Sequence, residues 1–172
     1  RRAAIWANVV SGLIRTTSDF AGSSHITQGN QFGGNMTLVN QGTISSQTSG
    51  RPLPVSPATS FTNPGTLEAI NGGTLSVSVS NWSSSGTITA TNSTTNFSGA
   101  WNNSGTLTVT NSTTNLGGTF TTAGLNLPSF TRSGGSVNLT GTLNNAGATL
   151  TLNAATGAWN VLGGTLSGGT LE

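Results

Sequence analysis

The chain has 172 residues, enough for one domain with a real core and too few for two ordinary ones. Only 5% of them are charged, so solubility rests on neutral hydroxyls and amides, and the basic residues Arg1, Arg2, Arg15, Arg51 and Arg132 make no face that could track phosphates, which argues against nucleic acid. Cysteine is absent, which removes disulfides and thiolate metal sites, and no apolar run approaches the ~18 residues of a bilayer span.

In chain order, the first element is the hydrophobic stretch AAIWANVVSGLI, Ala3–Ile14. It follows Arg1 and Arg2 as a signal-peptide core would, but Trp6, Asn8, Ser11 and Gly12 dilute it and no small-x-small cleavage site follows. Residues 1–21 read as a cap or exchange arm closing the end of a core, and 22–172 as the repeat domain. Within that domain Gly22–Gln41 supplies a weakly periodic coil with Ile26, Phe32 and Leu38 inward.

From there the sequence repeats. GTITATNSTTNFSGAW (Gly86–Trp101) aligns without a gap on GTLTVTNSTTNLGGTF (Gly105–Phe120). The opening recurs at Gly42, Gly65, Gly86, Gly105, Gly124, Gly147 and Gly169, at intervals of 23, 21, 19, 19, 23 and 22 residues. Four residues before each glycine through Gly147 stand Leu38, Phe61, Trp82, Trp101, Phe120 and Leu143, an apolar column; before Gly169 the rule fails, with Thr165 in the slot and Leu166 one place on. Periods of this size signal stacked repeats. Inside one coil the period is two: in GTLTVT, Leu107 and Val109 alternate with threonine, as in a half-buried strand. Leu116 and Phe120 mark two more short strands, separated by turn-forming Asn, Ser and Gly. The expected fold is all-β, a parallel β-solenoid of about seven coils of 19–23 residues, stacked ~4.8 Å apart. Stacking would bring like onto like, with an axial aromatic column and an amide ladder of Asn92 over Asn111. Two loop excursions are expected: 50–64, where Pro52, Pro54, Pro57 and Pro64 deny ladder donors, and 126–135, with Pro128 and Arg132.

The sequence is poor in groups that do chemistry. Asp19 and Glu68 fall in different coils, so paired-carboxylate catalysis has no basis. A triad of His25, Asp19 and a serine lacks any distinguished nucleophile. The glycine pairs, such as Gly72–Gly73 and Gly117–Gly118, open no helix in a phosphate-binding pattern and read as turns. No catalytic residue, cofactor or metal is expected.

The unit N-x-G-T-L/I-x-V/A, in NQGTI (Asn40–Ile44), NPGTL (Asn63–Leu67) and NSGTL (Asn103–Leu107), with the Thr/Asn/Gly-rich coils of 42–172, resembles secreted bacterial repeat proteins. The type is that of filamentous-haemagglutinin-like adhesins and autotransporter passenger stalks. This resemblance implies a single-stranded, right-handed parallel β-helix in an extracellular or cell-surface setting. Three roles follow as expectations. The first is a fibre subunit or shaft that stacks end to end, on itself or on the rest of a longer repeat chain. Its interface would be Ile5, Trp6, Val9, Val10, Leu13 and Ile14 at one end, with Leu166 and Leu171 at the other. The second is an adhesin contacting glycans or surfaces through the proline-rich loop. The third is ice binding by an outward array of Thr87, Thr89 and Thr91 beside Thr106, Thr108 and Thr110, interrupted by Ser76 and Ser78 below and by Ser136 and Asn138 above.

Overall fold

The computed structural model describes residues 5–8, 12–17, 25–27 and 37–172. The chain winds as a parallel β-solenoid of about six turns rather than seven. Three faces are built by strands that stack turn on turn. The first is a six-stranded sheet of Leu13–Arg15, Thr43–Ser46, Thr66–Ile70, Thr87–Thr91, Thr106–Thr110 and Phe130–Ser133. The second holds Ile26–Thr27, Pro52–Ser56, the starts of Thr74–Ser84 and Thr94–Asn103, then Thr113–Leu116, Ser136–Leu139 and Asn160–Val161. The third holds Ile5–Asn8, Thr37–Asn40, Ser60–Asn63, the ends of the same two long strands, Thr119–Thr121, Thr142–Asn144 and Thr165–Ser167. The second and third faces share one sheet because Thr74–Ser84 and Thr94–Asn103 pass round their common corner unbroken. Gly99 makes that corner possible: its φ is +79°, and a Cβ there would run into the Val79 carbonyl oxygen of the neighbouring turn.

Alternation decides what is inside. In Thr106–Thr110, Leu107 and Val109 are buried while the threonines face out. The register stacks Ile44, Leu67, Ile88, Leu107 and Phe130 in one axial column, all nearly inaccessible to solvent. Each such side chain stabilises the fold by about 1.5–3 kcal/mol relative to exposure. No single coil could cover these groups, so the stacking itself is the core.

Several features differ from the sequence expectation. Residues 50–64 are not a loop excursion: Pro52–Ser56 pairs with the start of Thr74–Ser84, and Ser60–Asn63 with its end. Pro52 and Pro54 lie two apart, so their missing donors point to the same edge, while Leu53 and Val55 turn inward onto Leu75 and Val77. Gly124 opens no strand. It sits in a single helical turn, Thr122–Leu125, where its N–H is capped by the Thr121 hydroxyl and which buries Leu125. The detour ends early, at a left-handed Asn126 and a 3₁₀ turn Leu127–Ser129, and Phe130 then regains the first face over Leu107. Excursion 126–135 is thereby shifted: residues 130–133 belong to the ladder. Near the far end, Thr149 pairs with Thr170 and Leu150 with Leu171, so Ala148 rather than Gly147 is the counterpart of Gly169. The misfit at Thr165 is one of turn length: Leu143 pairs with Leu166, and the connection from Ser167 to Thr170 is two residues shorter than the one from Asn144 to Thr149.

Candidate functional site

The third face carries Leu38, Phe61, Trp82, Trp101, Phe120 and Leu143 in a buried axial column. Ring centroids of Trp82 and Trp101 lie 5.5 Å apart at 20°, and those of Trp101 and Phe120 lie 4.3 Å apart at 19°. Phe97 meets both indoles edge-on. Each indole N–H reaches a corner carbonyl, Trp82 Nε1 donating to Ser98 O and Trp101 Nε1 to Gly117 O, both at 2.9 Å.

Two residues beyond each column member stands a buried polar group: Asn40, Asn63, Ser84, Asn103, Thr122 and Asn145. Asn40 Nδ2 donates to Asn63 Oδ1 at 2.7 Å and to Thr66 O, and Asn63 Nδ2 donates to Ser84 Oγ at 3.0 Å. Thr122 Oγ1 donates to Asn145 Oδ1, whose Nδ2 binds Thr170 O. This is the asparagine of the N-x-G-T unit, which fastens the third corner from within. Reading asparagine as an outer turn residue misses it; its spacing of two from the apolar column is the signal that places it inside.

Outside the core, amides behave differently on two faces. On the second face Asn96, Asn115, Asn138 and Asn160 form a continuous ladder at 2.7, 2.8 and 2.9 Å, with Ser76 below Asn96. Asn92 and Asn111, expected to make the amide ladder, instead turn the chain at φ of 49° and 47°. On the third face, Asn81 and Asn102 are exposed and, among the described residues, give their side chains to no protein group. They line a shallow groove of about 550 Å³ that crosses the coils from Ser60 to Asn144.

On the first face Thr87, Thr89 and Thr91 pair directly with Thr106, Thr108 and Thr110. Their neighbours below are Thr66, Glu68 and Ile70, and above them Thr131 and Ser133. Ser76, Ser78, Ser136 and Asn138, expected to flank this array, belong to the second face. Glu68 accepts a hydrogen bond from the Ser45 hydroxyl at 2.6 Å.

Of the residues assigned to the ends, Ile5 and Trp6 lie in a strand paired with Thr37–Asn40, and Ile14 pairs with Ile44. Leu13 is exposed, and Val9 and Val10 lie outside the described residues. At the opposite end Leu166 is half-buried, while Val161, Leu162 and Leu171 are exposed at 63%, 57% and 57%. Among the described residues, Asn160–Val161, Thr165–Ser167 and Thr170–Leu171 are each hydrogen-bonded on one side only.

Asp19 lies outside the described residues and His25 is exposed. Among the described residues no three His, Asp or Glu side chains converge, and no helix is long and apolar enough to cross a membrane. Arg132 occupies the inward register position over Val109, with Nη1 donating to Gly135 O at 3.1 Å. Fold and surface together define a parallel β-solenoid repeat protein. Comparison with protein-family models, curated proteins and solved structures finds no match.

Proposed function

We propose that the protein is a non-enzymatic shaft segment of an extracellular or cell-surface fibre, assembled by end-to-end stacking of coils on further copies of itself or on the rest of a longer repeat chain. The observation that carries this reading is the end at Asn160–Leu171. Among the described residues it presents strand edges paired on one side only, with Val161, Leu162 and Leu171 exposed around them. Unpaired parallel edges with apolar side chains are a template for another strand of the same kind. The last strand repeats, in GTLE (Gly169–Glu172), the sequence Gly65–Glu68. On that earlier copy the strand Thr87–Thr91 already stacks in register. A head-to-tail contact of this kind does not close on itself and so propagates as a filament.

Electron microscopy of the purified chain at rising concentration tests the proposal. Unbranched fibres that lengthen with concentration support it. Discrete short rods at every concentration count against it.

The threonine register favours a second reading, ice binding by the first face. Rows Thr87–Thr91 and Thr106–Thr110 make a regular hydroxyl-methyl array, extended by Thr66 and Thr131. Thermal hysteresis in a freezing assay, abolished by Thr89→Lys, would support it, and its absence would remove it.

A further inference from the structure

We infer that the third-face groove is a binding site for a neutral linear polysaccharide. Its floor column runs Ser60, Asn81, Ala100, Thr119, and Ala100 leaves a dent where its neighbours carry longer polar side chains. Beside the dent stand Ser83, Asn102 and Thr121 from consecutive turns.

Three properties fix the chemical class of the occupant. The groove is lined by hydroxyls, amides and Ala100 over the edge of the aromatic column, with no charged side chain among them, so it neither attracts nor repels an ionic ligand. The Asn81 and Asn102 amides are unspent, in contrast to the second face, where Asn96, Asn115, Asn138 and Asn160 satisfy one another. An unspent amide offers two donors and an acceptor close together, which matches a sugar hydroxyl that both donates and accepts. The groove is also open and elongated. It crosses the coils from Ser60 to Asn144, roughly 19 Å at ~4.8 Å per coil. A rigid open trough of that length fits a chain laid along the solenoid axis rather than an enclosed small molecule. The rigidity is built in, because the indole N–H groups of Trp82 and Trp101 pin the backbone beneath to the next corner.

The test is titration calorimetry of the full chain against neutral cello-, xylo-, manno- and N-acetylchito-oligosaccharides, with acidic alginate oligosaccharides for comparison. Binding of at least one neutral series is expected, strengthening with oligosaccharide length. The double variant Asn81→Ala/Asn102→Ala should weaken it about tenfold, as the loss of two modest hydrogen bonds requires. Ala100→Trp should abolish it by filling the dent, while Thr89→Ala on the first face should leave it unchanged. Circular dichroism of each variant confirms that these exposed positions leave the coils folded. Failure of every neutral oligosaccharide to bind overturns the inference. So does binding that survives Ala100→Trp, or alginate bound as tightly as the neutral chains.

Discussion

Replacing Trp101 tests whether the axial column holds the solenoid together. The side chain is 5% exposed, lies between Trp82 and Phe120 at centroid distances of 5.5 and 4.3 Å, and donates to Gly117 O at 2.9 Å. Trp101→Ala removes the buried area and leaves a cavity, at a cost of about 3–5 kcal/mol. The lost indole hydrogen bond adds about 1 kcal/mol, and the stacked pairs roughly 0.5–1.5 kcal/mol each. The sum rivals the whole stability of an ordinary domain, about 5–15 kcal/mol. Trp101→Phe keeps a ring in the stack and loses mainly the hydrogen bond and some area, so about 1–2 kcal/mol is expected. Trp101→Asp places an unpaired charge in the column and should unfold the rod. Thr108→Ala, on the exposed first face, should fall within about 0.5 kcal/mol of the parent. Urea unfolding followed by circular dichroism gives the order parent, Phe variant, Ala variant. A Trp101→Ala midpoint equal to that of Thr108→Ala would refute the reasoning, because the column would then carry none of the core.

Three further outcomes are expected. Gly99→Ala should lower the unfolding free energy by roughly 1–3 kcal/mol and move the urea midpoint down with it, since the corner holds φ at +79° and a methyl group would strike the Val79 carbonyl; an unchanged midpoint would mean the corner tolerates side chains. Asn115→Ala breaks its bonds to Asn96 and Asn138 on the partly exposed second face and should cost about 1–2 kcal/mol, read in the same assay against Thr108→Ala. Leu171→Arg should shorten or abolish fibres in electron micrographs while leaving the melting temperature close to the parent's, because Leu171 is exposed; fibres of undiminished length would separate that end from assembly.

The repeat was legible where one coil matches another residue for residue. Between Gly86 and Phe120 the alignment read from sequence is the register found, Thr87 on Thr106 and Phe97 on Leu116. It failed where local chemistry competes with the pattern. Prolines 52 and 54 signal a loop by composition, yet alternate spacing lets them occupy one edge of a strand. Gly124 matches the opening glycine by count, but Thr121 and Asn126 cap a helical turn around it. Ala148 stands in for a glycine and was invisible to a search for glycine. The groove was the least legible feature, because a dent at Ala100 has no sequence signature until three faces are folded. Asn81 and Asn102 differ from Asn96 and Asn115 only in what stacks beside them.

The helical turn Thr122–Leu125 has a consequence for how such a molecule measures length. The turn from Leu107 to Phe130 takes 23 residues, and the one from Ile88 to Leu107 takes 19, yet both advance the stack by a single strand. The surplus is stowed at a corner. Pitch is set by hydrogen bonds between backbones and is indifferent to how many residues lie between them, so the rod works as a ruler graduated in coils. Residues gained or lost at that corner change its outline and leave its graduations untouched.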